Sequence, residues 1–194
     1  NKNFYQIHGL GLNGFNTNRK IYLNAGNSGT LARLILGLLV NSKNLITLAG
    51  DKSLSNRDFS RVIKPLSLFG ANFKSNKNLL PVKISGSNFL RPIEYYERLG
   101  SAQCKSAVMF AALKTPGITK IKAKKSRDHT EIFLDELNVP IKIKKGKFYD
   151  NIEIKGLTNF KGFTYNVPGD ISSSSFFLVL TLLSNNSQLK IKNV

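Results

Sequence analysis

Two short polar loops carry the residues best suited to chemistry. Gly26-Asn27-Ser28-Gly29-Thr30 and Leu99-Gly100-Ser101-Ala102-Gln103 each lead into an apolar run, Leu31 to Val40 and Ala107 to Leu113. Such runs read as helices. The start of a helix offers unpaired backbone N–H groups and a partial positive charge, which together bind anions. Gly29 lets a ligand approach the backbone closely, because no side chain intervenes. Asn27, Ser28, Ser101 and Gln103 add neutral hydrogen bonds beside it. Arg57 and Arg127 stand where two further helices should begin, and each guanidinium can fork two bonds to a carboxylate or phosphate. Gathered in one place, these groups would suit a small molecule with several negative charges. The same residue types also serve as plain helix caps, so spacing alone leaves both readings open.

The loops are copies of one another. Ser28 precedes Ser53 by 25 residues and Ser101 precedes Ser126 by the same interval. Arg57-Asp58 in the first copy matches Arg127-Asp128 in the second, and Gly169-Asp170-Ile171-Ser172-Ser173 opens a third, shorter copy. A repeat of this length is a supersecondary unit, so the fold should be an array of like units.

Within the first unit, Phe4 to Leu12, Lys20 to Leu23, Leu45 to Leu48 and Val82 to Ser85 read as strands. Thr30 to Val40 is apolar apart from Arg33 and Gly37, which predicts an inner helix buried on every side. Asp58 to Phe69 places Phe59, Val62, Ile63, Leu66 and Phe69 on one face of an outer helix, with Pro65 predicting a bend. The second unit predicts strand Ile93 to Tyr96, inner helix Ala102 to Lys114 and strand Ile118 to Lys122. Its outer helix should run from Asp128 to about Leu137, with Asp128 and Glu131 spaced as a capping box. Strands Pro140 to Ile143 and Ile152 to Ile154 follow. A linker over Gly156 to Gly162, strand Phe163 to Val167, helix Ile171 to Leu183 and a strand at Leu189 to Ile191 complete the expectation.

Composition bounds the function. The 194 residues are 41% hydrophobic, as expected of a globular core. No run reaches the roughly 18 apolar residues of a membrane helix, and the first residues show no signal-peptide pattern. The single Cys104 excludes an internal disulfide framework, fits a reducing cytoplasm and reads as a buried structural thiol. Two scattered histidines disfavour a zinc site. The net charge of +18 raises nucleic acid as a partner. The basic residues are dispersed, however, with no arginine-rich arm or aromatic RNA-binding signature, so dedicated nucleic-acid binding is disfavoured.

Five blocks then carry a resemblance. They are Gly26-Asn27-Ser28-Gly29-Thr30 with Arg33; Gly50-Asp51-Lys52-Ser53-Leu54 with Arg57 and Arg61 to Leu66; Ser101-Ala102-Gln103-Cys104-Lys105-Ser106-Ala107; Ser126-Arg127-Asp128-His129-Thr130-Glu131; and Val167-Pro168-Gly169-Asp170-Ile171-Ser172-Ser173. In this order they resemble the 5-enolpyruvylshikimate-3-phosphate synthases, nearest the bacterial class II type. The resemblance implies an α/β (α+β) fold of repeated βαβαββ units, the inside-out, prism-like barrel of enolpyruvyl transferases, here incomplete. It implies a transferase moving the enolpyruvyl group of phosphoenolpyruvate to the 5-hydroxyl of shikimate 3-phosphate with release of phosphate, in aromatic amino acid biosynthesis. No metal or organic cofactor is implied. Asn27, Gly29, Arg57 and Gln103 would bind phosphoenolpyruvate. Ser101, Ala102, Gln103, Ser126 and Arg127 would bind shikimate 3-phosphate. Gly29 would also leave room for glyphosate.

The chain departs from that pattern in places. Asp58 stands where proline usually follows the arginine and would compete for Arg57, while Asn24 replaces a common aspartate. The family's N-terminal Lys-Ser segment and the catalytic acids and bases of its other domain are missing. The expectation is therefore a piece: residues 1–166 as most of the shikimate 3-phosphate domain and 167–194 as the start of the second. Such a piece should lack full turnover, and its apolar last helix should pack back or self-associate, whereas the complete enzyme should be a monomer. A UDP-N-acetylglucosamine enolpyruvyltransferase, a non-catalytic remnant and a nucleic-acid-binding module are the alternatives. Lys105 and His129 receive no assigned chemistry.

Overall fold

The computed structural model describes residues 4–14, 19–159 and 161–194, with the side chain at position 13 not described. The chain divides into two compact units, Asn1–Lys161 and Gly162–Val194.

The first unit holds two copies of one motif. In the first copy, β1 (Ile21–Asn24), α1 (Gly29–Leu38) and β2 (Ile46–Ala49) are followed by a one-turn helix α2 (Lys52–Ser55), then α3 (Ser60–Leu68), β3 (Asn72–Lys74) and β4 (Val82–Ser85). In the second, β5 (Glu94–Glu97), α4 (Ala102–Leu113), β6 (Ile118–Lys124), α5 (His129–Glu136), β7 (Ile141–Lys144) and β8 (Tyr149–Lys155) repeat the order. Each copy forms a four-stranded sheet of the same topology, β1-β2-β4-β3 and β5-β6-β8-β7. The first pair of each is parallel and the others antiparallel. This is the expected βαβαββ repeat.

Strand periodicity sets which way the sheets face. Along β6, Thr119, Ile121 and Ala123 are buried while Lys120, Lys122 and Lys124 are exposed, the period-two alternation of a one-sided sheet. The inward residues meet α4, which is buried along almost its whole length, including Cys104. On α3 the predicted face of Val62, Ile63 and Leu66, with flanking Phe59 and Phe69, is buried as read from its spacing.

The inner helices α1 and α4 pack closely, and Gly37 lies directly against the Ala107 backbone. A Cβ built there would lie 2.1 Å from the Ala107 carbonyl oxygen. At the far end Lys114 Nζ donates to Asn41 Oδ1 at 2.9 Å.

Several expectations are corrected. Residues 4–10 form no strand; Phe4, Tyr5, Ile7 and Leu10 are exposed without a pairing strand, and a 3-10 turn occupies Gly11–Asn13. Helix α1 is not buried on every side. Leu31 is half-exposed, and with Ile35 and Leu39 it lines an open apolar concavity of about 340 Å³ against Ile21, Leu23, Ile46 and Leu48. Strand β3, which the βαβαββ order requires, lies on residues not themselves expected as a strand. Position 160, within the expected linker, lies outside the described residues.

In the second unit α6 (Ile171–Leu183) matches its expected span, and none of its residues is buried. No strand forms at 163–167 or 189–191. Residues at or just beyond their ends meet irregularly instead: Asn193 Nδ2 donates to the Val167 carbonyl at 3.2 Å, and the Gly169 amide donates to the Asn193 carbonyl. Among the described residues no helix is long and apolar enough to cross a membrane.

Candidate functional site

The starts of α1 and α4 lie side by side. Ser28 caps α1 by accepting from the Leu31 amide at 3.1 Å, and Ser101 caps α4 by accepting from Cys104 at 3.3 Å. Gln103, in the first turn of α4, donates from Nε2 to Thr30 Oγ1 at 2.7 Å and accepts at Oε1 from Arg33 at 3.0 Å. Two positive helix ends are thus locked together by one amide side chain. Each retains first-turn amides that no helical carbonyl can satisfy.

Cations crowd the α1 end. A Cβ on Gly29 would lie 2.9 Å from an Arg33 guanidinium nitrogen and 3.3 Å from one of Arg57. Arg33 also reaches the Gly29 carbonyl at 3.4 Å and stacks over the Phe59 ring at 5.1 Å, which fits an internal partner. The Arg57 guanidinium makes no hydrogen bond or ion pair among the described residues. Two guanidinium groups aimed at one glycine favour an anion between them.

The nearby carboxylates are committed elsewhere. Asp51 accepts from the Leu54 amide at 2.7 Å and from Asn27 Nδ2 at 2.6 Å, bonds that hold its carboxyl below the ordinary range. Asp58 accepts from the Ser60 hydroxyl at 2.5 Å and its amide at 2.8 Å, and these bonds lower it likewise. The expected competition of Asp58 for Arg57 is therefore not seen, because Ser60 supplies nearer donors. Asn24 turns its side chain to the Gly26 amide at 2.9 Å, shaping the loop.

On the α4 side, Glu97 organises the loop. This buried carboxylate accepts from the Ser101 amide at 2.9 Å and the Leu99 amide at 3.3 Å, and it pairs with Arg61 at 3.3 Å. Sequence reading missed Glu97; an acid closing a strand just before Gly100-Ser101 was the available signal. Ala102, half-buried, adds its backbone. Arg127 is exposed, with no side-chain bond among the described residues, whereas Ser126 Oγ is buried without a hydrogen-bond partner.

The expected capping box at α5 does not form. Asp128 makes no cap bond; it takes Lys145 at 2.6 Å, and that bond lowers its carboxyl. Glu131 is drawn to Lys105 at 2.5 Å. In so basic a chain, lysines outcompete backbone amides for both acids. Among the described residues no group of three or more His, Cys, Asp or Glu could hold a metal ion.

A family model described as EPSP synthase (3-phosphoshikimate 1-carboxyvinyltransferase) matches residues 1–194. A 3-phosphoshikimate 1-carboxyvinyltransferase of Desulforamulus reducens is 38% identical over 192 residues, covering 97% of this chain and 43% of that protein. One of Petrotoga mobilis is 44% identical over 176 residues, covering 89% and 40%. The solved EPSP synthase of Acinetobacter baumannii superposes with a TM-score of 0.76 at 36% identity, over 90% of this chain and 39% of that one. The chain thus spans about two fifths of the length of the curated relatives it matches.

Proposed function

The chain belongs to the EPSP synthase family, and from that membership we propose that it forms part of a cytoplasmic biosynthetic transferase that moves the enolpyruvyl group of phosphoenolpyruvate to the 5-hydroxyl of shikimate 3-phosphate. In that reaction the methylene carbon of phosphoenolpyruvate gains a proton while the hydroxyl gives up its own and its oxygen bonds to the neighbouring carbon. The tetrahedral intermediate then loses one proton of the new methyl group and expels phosphate, restoring the double bond. Every species along the way is multiply anionic. Fixed positive groups around developing charge therefore carry much of the catalysis.

One observation supports this reading most: the joined starts of α1 and α4, with the guanidinium groups of Arg33 and Arg57 converging on Gly29. Phosphoenolpyruvate would sit over Gly29, with Asn27 at the loop and Arg57 pairing its charged groups. Shikimate 3-phosphate would take the Ser101-Ala102-Gln103 turn, its phosphate reaching Arg127. Ser126 would join after turning its hydroxyl outward to another rotamer. Gln103 keeps one free N–H and one free lone pair beyond its two internal bonds, so it can serve both substrates. Residues 1–166 would form most of the shikimate 3-phosphate domain, and residues 167–194 would open the other. Turnover would need the acids and bases of that second domain, so this chain by itself would bind without turning over. The UDP-N-acetylglucosamine alternative gains nothing from the comparisons.

Calorimetric titration of shikimate 3-phosphate into the chain and into Arg127→Ala tests the proposal. Saturable binding is expected, weakened about tenfold or more in the variant, as for loss of a charge-assisted bond. Absence of binding, or equal binding by both proteins, would refute it.

A further inference from the structure

Lys105 carries a role beyond the reaction outline. It lies on the second turn of α4, only 2% exposed, and its ammonium joins three parts of the fold. It pairs with Glu131 Oε1 on α5 at 2.5 Å and donates to the Arg127 carbonyl at 3.1 Å. One helical position further, Ser106 Oγ meets Thr130 Oγ1 at 2.7 Å, so α4 and α5 are tied twice.

Stability does not explain such a group. Two charges taken from water lose hydration that their mutual attraction seldom exceeds, and a packed apolar pair is often equal or better. The remaining Glu131 oxygen is buried without a partner, a further cost of the arrangement. What an apolar pair cannot do is hydrogen-bond the Arg127 carbonyl. That bond fixes the turn from below while the Arg127 side chain stays exposed above.

We propose that Lys105 is a positioning residue, an internal strut holding the Ser126–Arg127 turn where it serves the substrate phosphate. The phosphate role rests on the function proposed above; the strut itself is a property of the unliganded chain. The two can therefore fail separately. Glu131 anchors the ammonium, and Lys105 transmits that anchorage to the turn.

The decisive variant is Lys105→Met with Glu131→Leu, which removes both charges and leaves none buried alone. Backbone ¹⁵N relaxation reads the turn directly. The double variant should melt no lower than the parent. Order parameters at residues 126–128 should nevertheless fall from about 0.85, the rigid value, to below about 0.6, while those in α1 stay unchanged. Glu131→Gln alone, which keeps the Lys105–Arg127 bond, should leave the turn rigid. Should the double variant not fold, Lys105→Met with Glu131→Gln gives the same readout. An ordered turn after loss of Lys105 would overturn the strut. Shikimate 3-phosphate affinity should drop about tenfold in the double variant, as for a lost charge-assisted contact. Weakened binding in Arg127→Ala with unaltered binding in the double variant would also overturn it. Failure of the parent chain to bind would count against the functional proposal, leaving the relaxation result to judge the strut.

Discussion

Gln103 Nε2 donates to Thr30 Oγ1 at 2.7 Å across 73 residues of sequence, the interval that also separates Ser28 from Ser101 and Asn41 from its partner Lys114. Equivalent positions of the two repeats are therefore bonded to each other. α1 and α4 run parallel and in register, and whatever starts one helix stands beside whatever starts the other. The side-by-side anion-attracting ends are a geometric consequence of repetition.

That register depends on Gly37. A side chain there would drive into the Ala107 backbone, which cannot swing away as a side-chain tip can. Gly37→Ala should destabilise the chain by about 1–3 kcal/mol through overpacking, despite the better helix propensity of alanine. Chemical denaturation measures it. A variant as stable as the parent would contradict the close approach.

Gly29 on the same helix should behave in the opposite way. Its added Cβ meets chiefly the mobile ends of Arg33 and Arg57. Gly29→Ala should change stability by less than about 1 kcal/mol while displacing the guanidinium groups. In a complete enzyme carrying this site, the substitution should weaken phosphoenolpyruvate and glyphosate binding, whereas the glycine form should be inhibited by glyphosate at about millimolar concentration. Steady-state inhibition kinetics on both forms decides it.

Lys114 predicts a pH dependence. Burial lowers its ammonium from 10.5 to about 8. Between those values the unfolded chain binds the proton that the folded chain has released, so stability rises with pH through that window. Below about pH 8 the full cost of the buried charge is present. The advantage in melting temperature of Lys114→Met over the parent should therefore shrink from pH 8 toward pH 10. Above about pH 10 Tyr95, whose hydroxyl burial pushes up, acts in the opposite sense. A constant difference across the window would contradict the assignment.

The repeat was legible because a polar loop, an apolar run and two serines 25 residues apart recur in the same order, and the 73-residue interval between the copies became contacts. The outer-helix face from Phe59 to Phe69 was legible for the same reason, through helical period. The Lys105–Glu131 pair was not, since nothing local links residues 26 apart on different helices. Asp128 and Glu131 misled because their spacing fits a cap, yet Lys145 and Lys105 offered stronger partners. The strand expected over Phe4 to Leu12 had suitable residues but, among the described residues, no neighbouring strand to pair with. A side chain's partner is set by the whole fold, and spacing reports only the part of it that repeats.

A titration of shikimate 3-phosphate into the ¹⁵N-labelled chain, followed amide by amide, tests the shared substrate site most directly. Ser101, Ala102, Gln103, Ser126 and Arg127 should shift together along one saturable curve, with Gly29 and Thr30 responding through the Gln103 bridge. Shifts confined to outward lysines such as Lys120, Lys122 and Lys142, with those loop amides unmoved, would contradict it.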